Sequence, residues 1–292
     1  MAELLSDFLE KVQPPIEHVV GRGILPVAGK MIMGGPPKSN KSFVMLNMAL
    51  GLARGTHLFD ARYQNGQPVF PVYKKNKVLL LEQELGETGV QKRLKQMVAS
   101  GQINPVGLDF YLKTKDANMR LDTPEGRAVI STEISAVRPD VVFLDPMAKF
   151  HLVDENSAQH MGAVMRVVDR WIQDFGCAVV IIHHTALASL NPDMHRRGGA
   201  KLRGSSAIFA DCDTFVDVQR KSNPHAKEPV LQLDFELRRG EPLDPVMLKR
   251  LRSGLVYYLG DKNQDVEPRE RRQAPALTAD GFETPRGPYE EL

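Results

Sequence analysis

Cysteine is nearly absent from this chain, with two residues among 292. Both of them, Cys177 and Cys212, lie in apolar runs, which favours buried thiols over a disulfide or a metal site. No third ligand stands at zinc spacing from His183 and His184, which argues against a zinc site there. The cysteine and histidine content therefore gives no support for a fold held by disulfides or zinc.

Long apolar segments and a strong net charge are also missing. No apolar run reaches membrane-spanning length, and the opening residues, Met-Ala-Glu-Leu-Leu-Ser-Asp, lack signal-peptide character. The formal net charge is +2, which neither requires nor excludes nucleic acid. With 42% hydrophobic residues, the chain can form a sizeable core. We therefore expect a cytoplasmic protein with no membrane partner.

The most informative segment is an apolar strand followed by a tight Gly/Pro turn and a helix that opens at Lys-Ser. This layout is typical of a phosphate-binding loop, in which backbone N–H groups and the positive end of a helix surround an anion. We expect the loop to bind the phosphates of a nucleotide, with Lys41 on the outer phosphates and Ser42 on Mg2+. Asn40 stands where glycine is usual, and asparagine tolerates the left-handed backbone that such a turn needs. The predicted nucleotide-binding residues are Gly35, Pro36, Pro37, Lys38, Ser39, Asn40, Lys41 and Ser42.

Strands and helices alternate through most of the chain, which predicts an α/β fold with a mostly parallel sheet and helices on both faces. The later strands have short links and are expected to be antiparallel. The predicted strands cover residues 30–33, 78–81, 108–112, 141–144, 178–182, 214–218, 230–237 and 254–259. The predicted helices cover residues 2–12, 43–53, 87–100, 123–137 and 157–175.

Three regions follow from this pattern. Residues 1–29 form an N-terminal helix and lead-in segment, residues 30–260 the α/β domain that carries the phosphate loop, and residues 261–292 a tail. The N-terminal helix packs either on its own domain or on a neighbouring subunit. The tail is rich in Pro, Glu, Arg and Gln, which predicts a disordered segment or a docking peptide for a protein partner.

Carboxylates follow two of the buried strands. Asp145 ends the strand at 141–144, where it can hold Mg2+ through water. Glu84 follows the strand at 78–81, where it can accept a proton from the water that attacks the outer phosphate. Glu82 is an alternative base two residues earlier, and Glu87 is more easily explained as a cap of the next helix.

Histidines and arginines supply the remaining candidates. His183 and His184 end a strand, and since neighbouring residues alternate faces, at most one should face the nucleotide. Residues 185–203 form a polar stretch without Phe, Tyr or Trp. It is either a solvated loop or a DNA-binding loop that relies on charge. Its candidate DNA contacts are Arg196, Arg197, Lys201 and Arg203.

Arg238 and Arg239 follow the strand at 230–237 and precede Gly240. A guanidinium at such a hairpin can project across a subunit boundary onto a neighbour's nucleotide. The alternative is a pair of surface arginines.

Taken together, these motifs resemble the RecA-like ATPases, and among them the small hexameric replicative helicases of broad-host-range plasmids and their phage relatives. The likeness covers roughly residues 14–240. Two departures stand out: Leu187 replaces a lysine after the His pair, and Asp213 replaces an arginine. The matching pieces are Pro14-Pro15, Glu84 with Gln91-Lys92-Arg93-Leu94, Leu144-Asp145, Phe150-His151, Glu155-Asn156, Gly176-Cys177, His183-His184 and Arg203-Gly204-Ser205-Ser206.

The resemblance implies a RecA-like core that forms a ring with ATP at the subunit interfaces. It implies Glu84 as catalytic base, Asp145 as the Mg2+ aspartate and His184 as a phosphate sensor. It also implies that residues 185–203 face a channel through which single-stranded DNA passes. Arg238 matches the trans-acting arginine of the bacterial replicative helicases better than any residue near Asp213.

The expected function is therefore ATP hydrolysis by a ring, hexameric by that likeness, that moves on single-stranded DNA. An ATP-dependent switch that recruits another protein is the first alternative. A RecA-like recombination ATPase is the second, and it is disfavoured because no separate DNA-binding module is visible in the sequence.

Overall fold

A computed structural model describes residues 3–12, 14–184, 207–210 and 212–261. The predicted DNA contacts Arg196, Arg197, Lys201 and Arg203, and the tail from residue 262 onward, lie outside the described residues. In the described part of the chain, no helix is both long enough and apolar enough to cross a lipid bilayer.

The helices begin and end close to the predicted positions. They are α1 (Leu5–Glu10), α2 (Lys41–Arg54), α3 (Gly86–Val98), α4 (Pro124–Val137) and α5 (Ala158–Phe175). The sequence pattern does not predict the short α6 (Ala207–Ala210). Side-chain capping explains the start of α4. The hydroxyl of Thr123 accepts from the Gly126 N–H at 3.2 Å, with Pro124 at the first helical position.

The strands confirm the predicted α/β class. They are β1 (His18–Val20), β2 (Leu25–Pro26), β3 (Lys30–Gly34), β4 (Val78–Glu82), β5 (Phe110–Thr114), β6 (Val141–Asp145), β7 (Ala178–Ile182), β8 (Thr214–Arg220), β9 (Val230–Leu237), β10 (Val246–Arg250) and β11 (Val256–Asp261). The sequence pattern does not predict the short strands β1, β2 and β10.

Among the described residues, one sheet of nine strands organises the fold, in the order β11-β10-β9-β8-β3-β7-β6-β4-β5. The strands from β8 through β5 in that order pair in parallel, and β8 to β11 pair antiparallel. Two strands, β7 and β6, separate β3 from β4. The loop after β3 and the loop after β4 therefore flank the ends of β7 and β6.

Helices cover both faces of this sheet. Alternate residues of β3, β4, β6 and β7 face α2 and α3 on one side and α4 and α5 on the other. The predicted apolar stripe of α5 is buried, and each such side chain contributes roughly 1.5–3 kcal/mol when removed from water. The indole N–H of Trp171 donates to the Ser131 hydroxyl at 3.0 Å, which ties α5 to α4. Cys177 and Cys212 are buried free thiols, as predicted.

Residues 18–26, which the sequence places in the lead-in segment, contribute to the core. The β1–β2 pair buries Val19, Val20, Ile24 and Leu25 against the α2 side of the sheet. Helix α1 behaves differently, because none of its residues is buried.

Candidate functional site

The parallel register places four loops at the same edge of the sheet. Glu82 and Asp145, the last residues of β4 and β6, are paired directly. Met33 of β3 pairs with Ile182 of β7. Since carboxyl ends of parallel strands meet at one edge, the ends of β3, β4, β6 and β7 lie side by side there, together with the described residues that directly follow them.

The loop between β3 and α2 has the backbone of a tight turn. Gly35 has φ +152°, and a Cβ there would lie 2.4 Å from the Val218 carbonyl oxygen, so a side chain is excluded. Lys38 and Asn40 also have positive φ, of 63° and 72°. The left-handed backbone expected of Asn40 is therefore present, directly before the first turn of α2.

The ammonium group of Lys41 lies across this loop. Its Nζ donates to the carbonyl oxygens of Gly35 at 2.7 Å and Pro36 at 2.9 Å. Burial lowers the pKa of Lys41 to about 8, against the opposing charges of Asp145, Glu84 and Asp217. A buried cation on the inner side of the turn is suited to bind the oxygens of a polyphosphate.

Ser42 and Asp145 form the second part of the site. The Ser42 hydroxyl donates to the Asp145 carboxylate, whose residue is 2% exposed. Burial raises the pKa of Asp145 to about 6, and the charges of Glu84 and Glu82 add to that rise.

This pair fits a magnesium ion. The buried Oδ1 of Asp145 has no hydrogen-bond partner within the part of the chain that the structure describes, which leaves a carboxylate oxygen for a cation. The described residues contain no cluster of three or more His, Cys, Asp or Glu that could hold a metal ion by protein ligands alone. Mg2+ usually takes one or two protein ligands and completes its shell with water and substrate phosphates. Ser42 and Asp145 together are such a set.

Glu82 and Glu84, the two candidate bases, differ in their hydrogen bonds and in their exposure. The buried carboxylate of Glu82 accepts the N–H groups of Glu84 at 2.8 Å, of Leu85, and of Gly86 at 2.9 Å. Glu82 therefore holds the turn into α3 and has little capacity left for water. Glu84 is exposed, and its charge acts on both Lys41 and Asp145. Of the two, Glu84 is the one placed to accept a proton.

The two histidines differ in exposure, as alternation along a strand requires. His183 is fully buried, and its N–H donates to the Met33 carbonyl at 3.0 Å, which joins the ends of β7 and β3. His184 is half-buried at the same edge. This places His184 beside the loop that follows β3, in a position suited to contact a phosphate.

Arg238 lies at the opposite edge of the sheet. Its N–H donates to the Asp213 carbonyl at 2.8 Å, and the Asp213 N–H donates to the Lys30 carbonyl at 2.8 Å. Lys30 begins β3, whereas Lys41 follows its end. The exposed Arg238 is therefore remote from the phosphate loop of its own chain.

Sequence reasoning misses Asp217 and Arg93 as charges near the site. Asp217 pairs with Gly34 at the end of β3, is 2% exposed and acts on Lys41. Arg93 of α3 acts on Asp145 and lowers its pKa. The detectable signal for Asp217 is an acid inside the apolar run Thr-Phe-Val-Asp-Val. Arg93 belongs to a recognisable motif, but its distance along the chain hides its proximity to Asp145.

Fold and site together define a P-loop ATPase with a RecA-like core. Residues 1–189 match the model of the family AAA_25, described as an AAA domain, and the chain belongs to that family. The matched region includes the phosphate loop, Glu84, Asp145 and His184, and it ends before Arg238.

Solved structures show the same fold. The chain is similar to a solved structure described as an ATPase domain, with a TM-score of 0.55 and 13% identity, over 79% of this chain and 84% of that chain. An identity this low shows the fold alone. No curated protein matches the sequence.

Proposed function

We propose that this protein hydrolyses ATP as a hexameric ring and uses the reaction to move along single-stranded DNA, as a replicative helicase of a plasmid or phage-like element. The observation that carries the proposal is the convergence of Lys41, Ser42, Asp145 and Glu84 at one sheet edge. These groups can bind a triphosphate and activate water beside it. The likeness in fold to a solved ATPase domain is compatible with such a motor.

Each part of the site has its own proposed role in the reaction. The backbone of residues 35–42 and the ammonium of Lys41 bind the phosphates of ATP. Mg2+, held by Ser42 and Asp145, would neutralise charge that develops on the transferred phosphoryl group. Glu84 accepts a proton from the attacking water, and His184 contacts the outer phosphate and senses its loss.

Two features support a shared interface between subunits. Arg238 lies at the sheet edge opposite its own phosphate loop, so a catalytic arginine at this position has to act on a neighbour's nucleotide. Helix α1 leaves Leu5, Phe8 and Leu9 exposed. An apolar face that is not buried against its own domain favours packing on a neighbouring subunit, the second of the two placements that the sequence leaves open.

Contact with DNA is assigned to residues 185–203. The carboxyl end of β7 leads into this stretch from the nucleotide site, and it contains Arg196, Arg197, Lys201 and Arg203. Without aromatic residues, binding there would depend on phosphate contacts and on salt. The tail predicted at residues 261–292 is proposed as a docking segment for a protein partner.

The first experiment measures ATP hydrolysis with and without single-stranded DNA, together with the mass of the assembly. A hexamer whose turnover rises with DNA supports the motor. An oligomer that hydrolyses ATP regardless of DNA contradicts translocation and favours the recruiting switch.

A second experiment tests the shared interface. Arg238→Ala and Lys41→Ala subunits, each inactive alone, are mixed. Recovered turnover is expected, because some interfaces then combine an intact phosphate loop with an intact arginine. Arg239→Ala is the matched control and should be active alone. If Arg239→Ala is instead inactive alone and recovers turnover when mixed with Lys41→Ala, while Arg238→Ala does not, the role passes to Arg239.

A further inference from the structure

Two arginines, Arg93 and Arg250, lie over the ring of Phe43 in the first turn of α2, and a third, Arg220, lies near Arg250. The Cζ of Arg93 lies 4.7 Å from the ring centroid, and the Cζ of Arg250 lies 4.6 Å from it. Arg220 is close enough to act electrostatically on Arg250. We call these three residues the arginine cluster.

The arginine cluster is assembled from separate elements that are fixed to one another. Arg93 belongs to α3, Arg220 ends β8 and Arg250 ends β10. Asn47 of α2 donates to the carbonyls of Phe43 at 2.8 Å and Gly254 at 3.0 Å, and its Oδ1 accepts from the Val256 N–H at 2.9 Å. The turn after β10 is thus tied to α2, the helix that carries Phe43.

In Arg220 and Arg250, some nitrogens of the guanidinium group have a hydrogen-bond acceptor and the Nε atom has none in the described part of the chain. Nη2 of Arg220 donates to the carbonyls of Asn223 and Ala226, and Nη2 of Arg250 donates to the carbonyl of Lys227. The Nε atoms of both arginines are buried and have no acceptor among the residues that the structure describes. Buried donors are rarely left without an acceptor, so an acceptor from outside the chain is expected.

Charge balance leads to the same expectation. Burial lowers the pKa of Arg250, and the charges of Arg220 and Arg93 lower it further, with Glu228 as the opposing carboxylate. That carboxylate also accepts from Lys249 at 3.2 Å, so it does not neutralise three arginines. The contacts with the Phe43 ring attract the cations but supply no acceptor for their N–H groups.

We propose that Arg93, Arg220 and Arg250 form a phosphate-binding site next to the phosphate loop and distinct from Lys41. Guanidinium forks match the geometry of phosphate oxygens, and a dianion would satisfy both the donors and the charge. The charge of Arg93 also lowers the pKa of Asp145, so the arginine cluster lies within electrostatic reach of the pair formed by Ser42 and Asp145. The phosphate belongs either to the nucleotide held by Lys41 or to a separate phosphate ligand.

The test is calorimetric titration of pyrophosphate into the full chain carrying Lys41→Ala, so that binding at the phosphate loop is weakened. Adding Arg220→Gln and Arg250→Gln should weaken the remaining binding roughly tenfold to a hundredfold, the loss expected for charged hydrogen bonds. Adding Arg252→Gln, an exposed arginine of the neighbouring turn, should leave it unchanged. Equal binding in all three proteins, or none in Lys41→Ala alone, overturns the proposal.

Thermal unfolding shows whether each variant is folded and gives a second measure of pyrophosphate binding. Pyrophosphate should raise the unfolding temperature of Lys41→Ala but not of the triple variant. If the triple variant does not fold, Arg93→Gln in the Lys41→Ala background replaces it and should weaken pyrophosphate binding. Unchanged binding in that protein also overturns the proposal.

Titration of ATP into Arg220→Gln/Arg250→Gln with Lys41 intact identifies the source of the phosphate. Weaker ATP binding assigns the arginine cluster to the bound nucleotide. Unchanged ATP binding, with pyrophosphate binding lost in the triple variant, assigns it to a separate phosphate ligand. The pyrophosphate readout needs no ATP turnover, so this site can fail while the proposed ATPase activity stands, and the reverse.

Discussion

Replacing two neighbouring glutamates one at a time separates catalysis from structure at the end of β4. Glu82→Gln removes a buried carboxylate that accepts three backbone N–H groups. Glu84→Gln removes an exposed carboxylate beside Lys41 and Asp145. Both substitutions keep the shape of the side chain, so the contacts alone decide the outcome.

The expected loss for Glu82→Gln is structural. Oε1 of Glu82 accepts from Glu84 and Leu85, and Oε2 accepts from Gly86. Glutamine keeps one oxygen, and its NH2 group would face an N–H, so at least one charged hydrogen bond is lost, about 2–3 kcal/mol. For a domain of this size, the unfolding temperature should fall by roughly 5–10 °C. Turnover should persist at temperatures where the variant is folded.

The expected loss for Glu84→Gln is kinetic. An amide cannot accept the proton of the attacking water, and loss of a general base lowers kcat by roughly 10²–10⁴-fold. ATP binding and the unfolding temperature should stay near those of the unaltered protein, because the Glu84 side chain is exposed.

Phosphate release, ATP titration and thermal unfolding, measured on the same preparations, compare the two variants. Glu87→Gln is the matched control, since Glu87 is an exposed acid in the first turn of α3. Turnover and ATP binding should not change, and the unfolding temperature should fall much less than in Glu82→Gln, because only the favourable placement of a charge near the helix start is lost. If Glu82→Gln stops turnover with an unchanged unfolding temperature while Glu84→Gln remains active, the assignment of the base is wrong.

Three further predictions concern the phosphate loop and Asp145, the carboxylate that accepts from Ser42. Lys41→Ala should abolish phosphate release, whereas the exposed Lys92→Ala should not; turnover in the first variant would contradict the site. Asn40→Ala should lower the free energy of unfolding by about 1 kcal/mol relative to Asn40→Gly, because alanine resists a left-handed backbone; equal stability would contradict that geometry. Asp145 has a pKa of about 6 when folded, above its unfolded value, so its ionisation destabilises the fold as pH rises from about 4 to 6. Asp145→Asn should therefore gain about 3 kcal/mol of stability at pH 7 while losing Mg2+-dependent turnover, and denaturant titrations that show no gain would refute the buried charge.

Local patterns are sufficient to predict most of the fold. β7 and β9 occupy the predicted residues, because the unbroken apolar run of β7 and the alternation of apolar and polar residues in β9 are both typical of strands. Strand β10 escapes prediction because only Val246 and Leu248 turn inward, which is too short an alternation to separate from a loop. The β1–β2 pair escapes it because its strands are very short and gain their stability from packing on α2's side of the sheet.

The site is predictable where chemistry depends on neighbours in sequence, and less so where it depends on pairing. The phosphate loop is one continuous segment, so its turn and the left-handed Asn40 follow from residue types. The choice between Glu82 and Glu84 needs the hydrogen bonds of the turn into α3. The proximity of Asp217 to Lys41 arises from strand pairing, which residue spacing does not reveal.

A crystal structure of the protein with Mg2+ and a non-hydrolysable ATP analogue tests the central claim most directly. The account predicts the β- and γ-phosphates within residues 35–42, with Lys41 on their oxygens and the metal between Ser42 and Asp145. A nucleotide bound elsewhere, or a phosphate loop empty at saturating analogue, would contradict it.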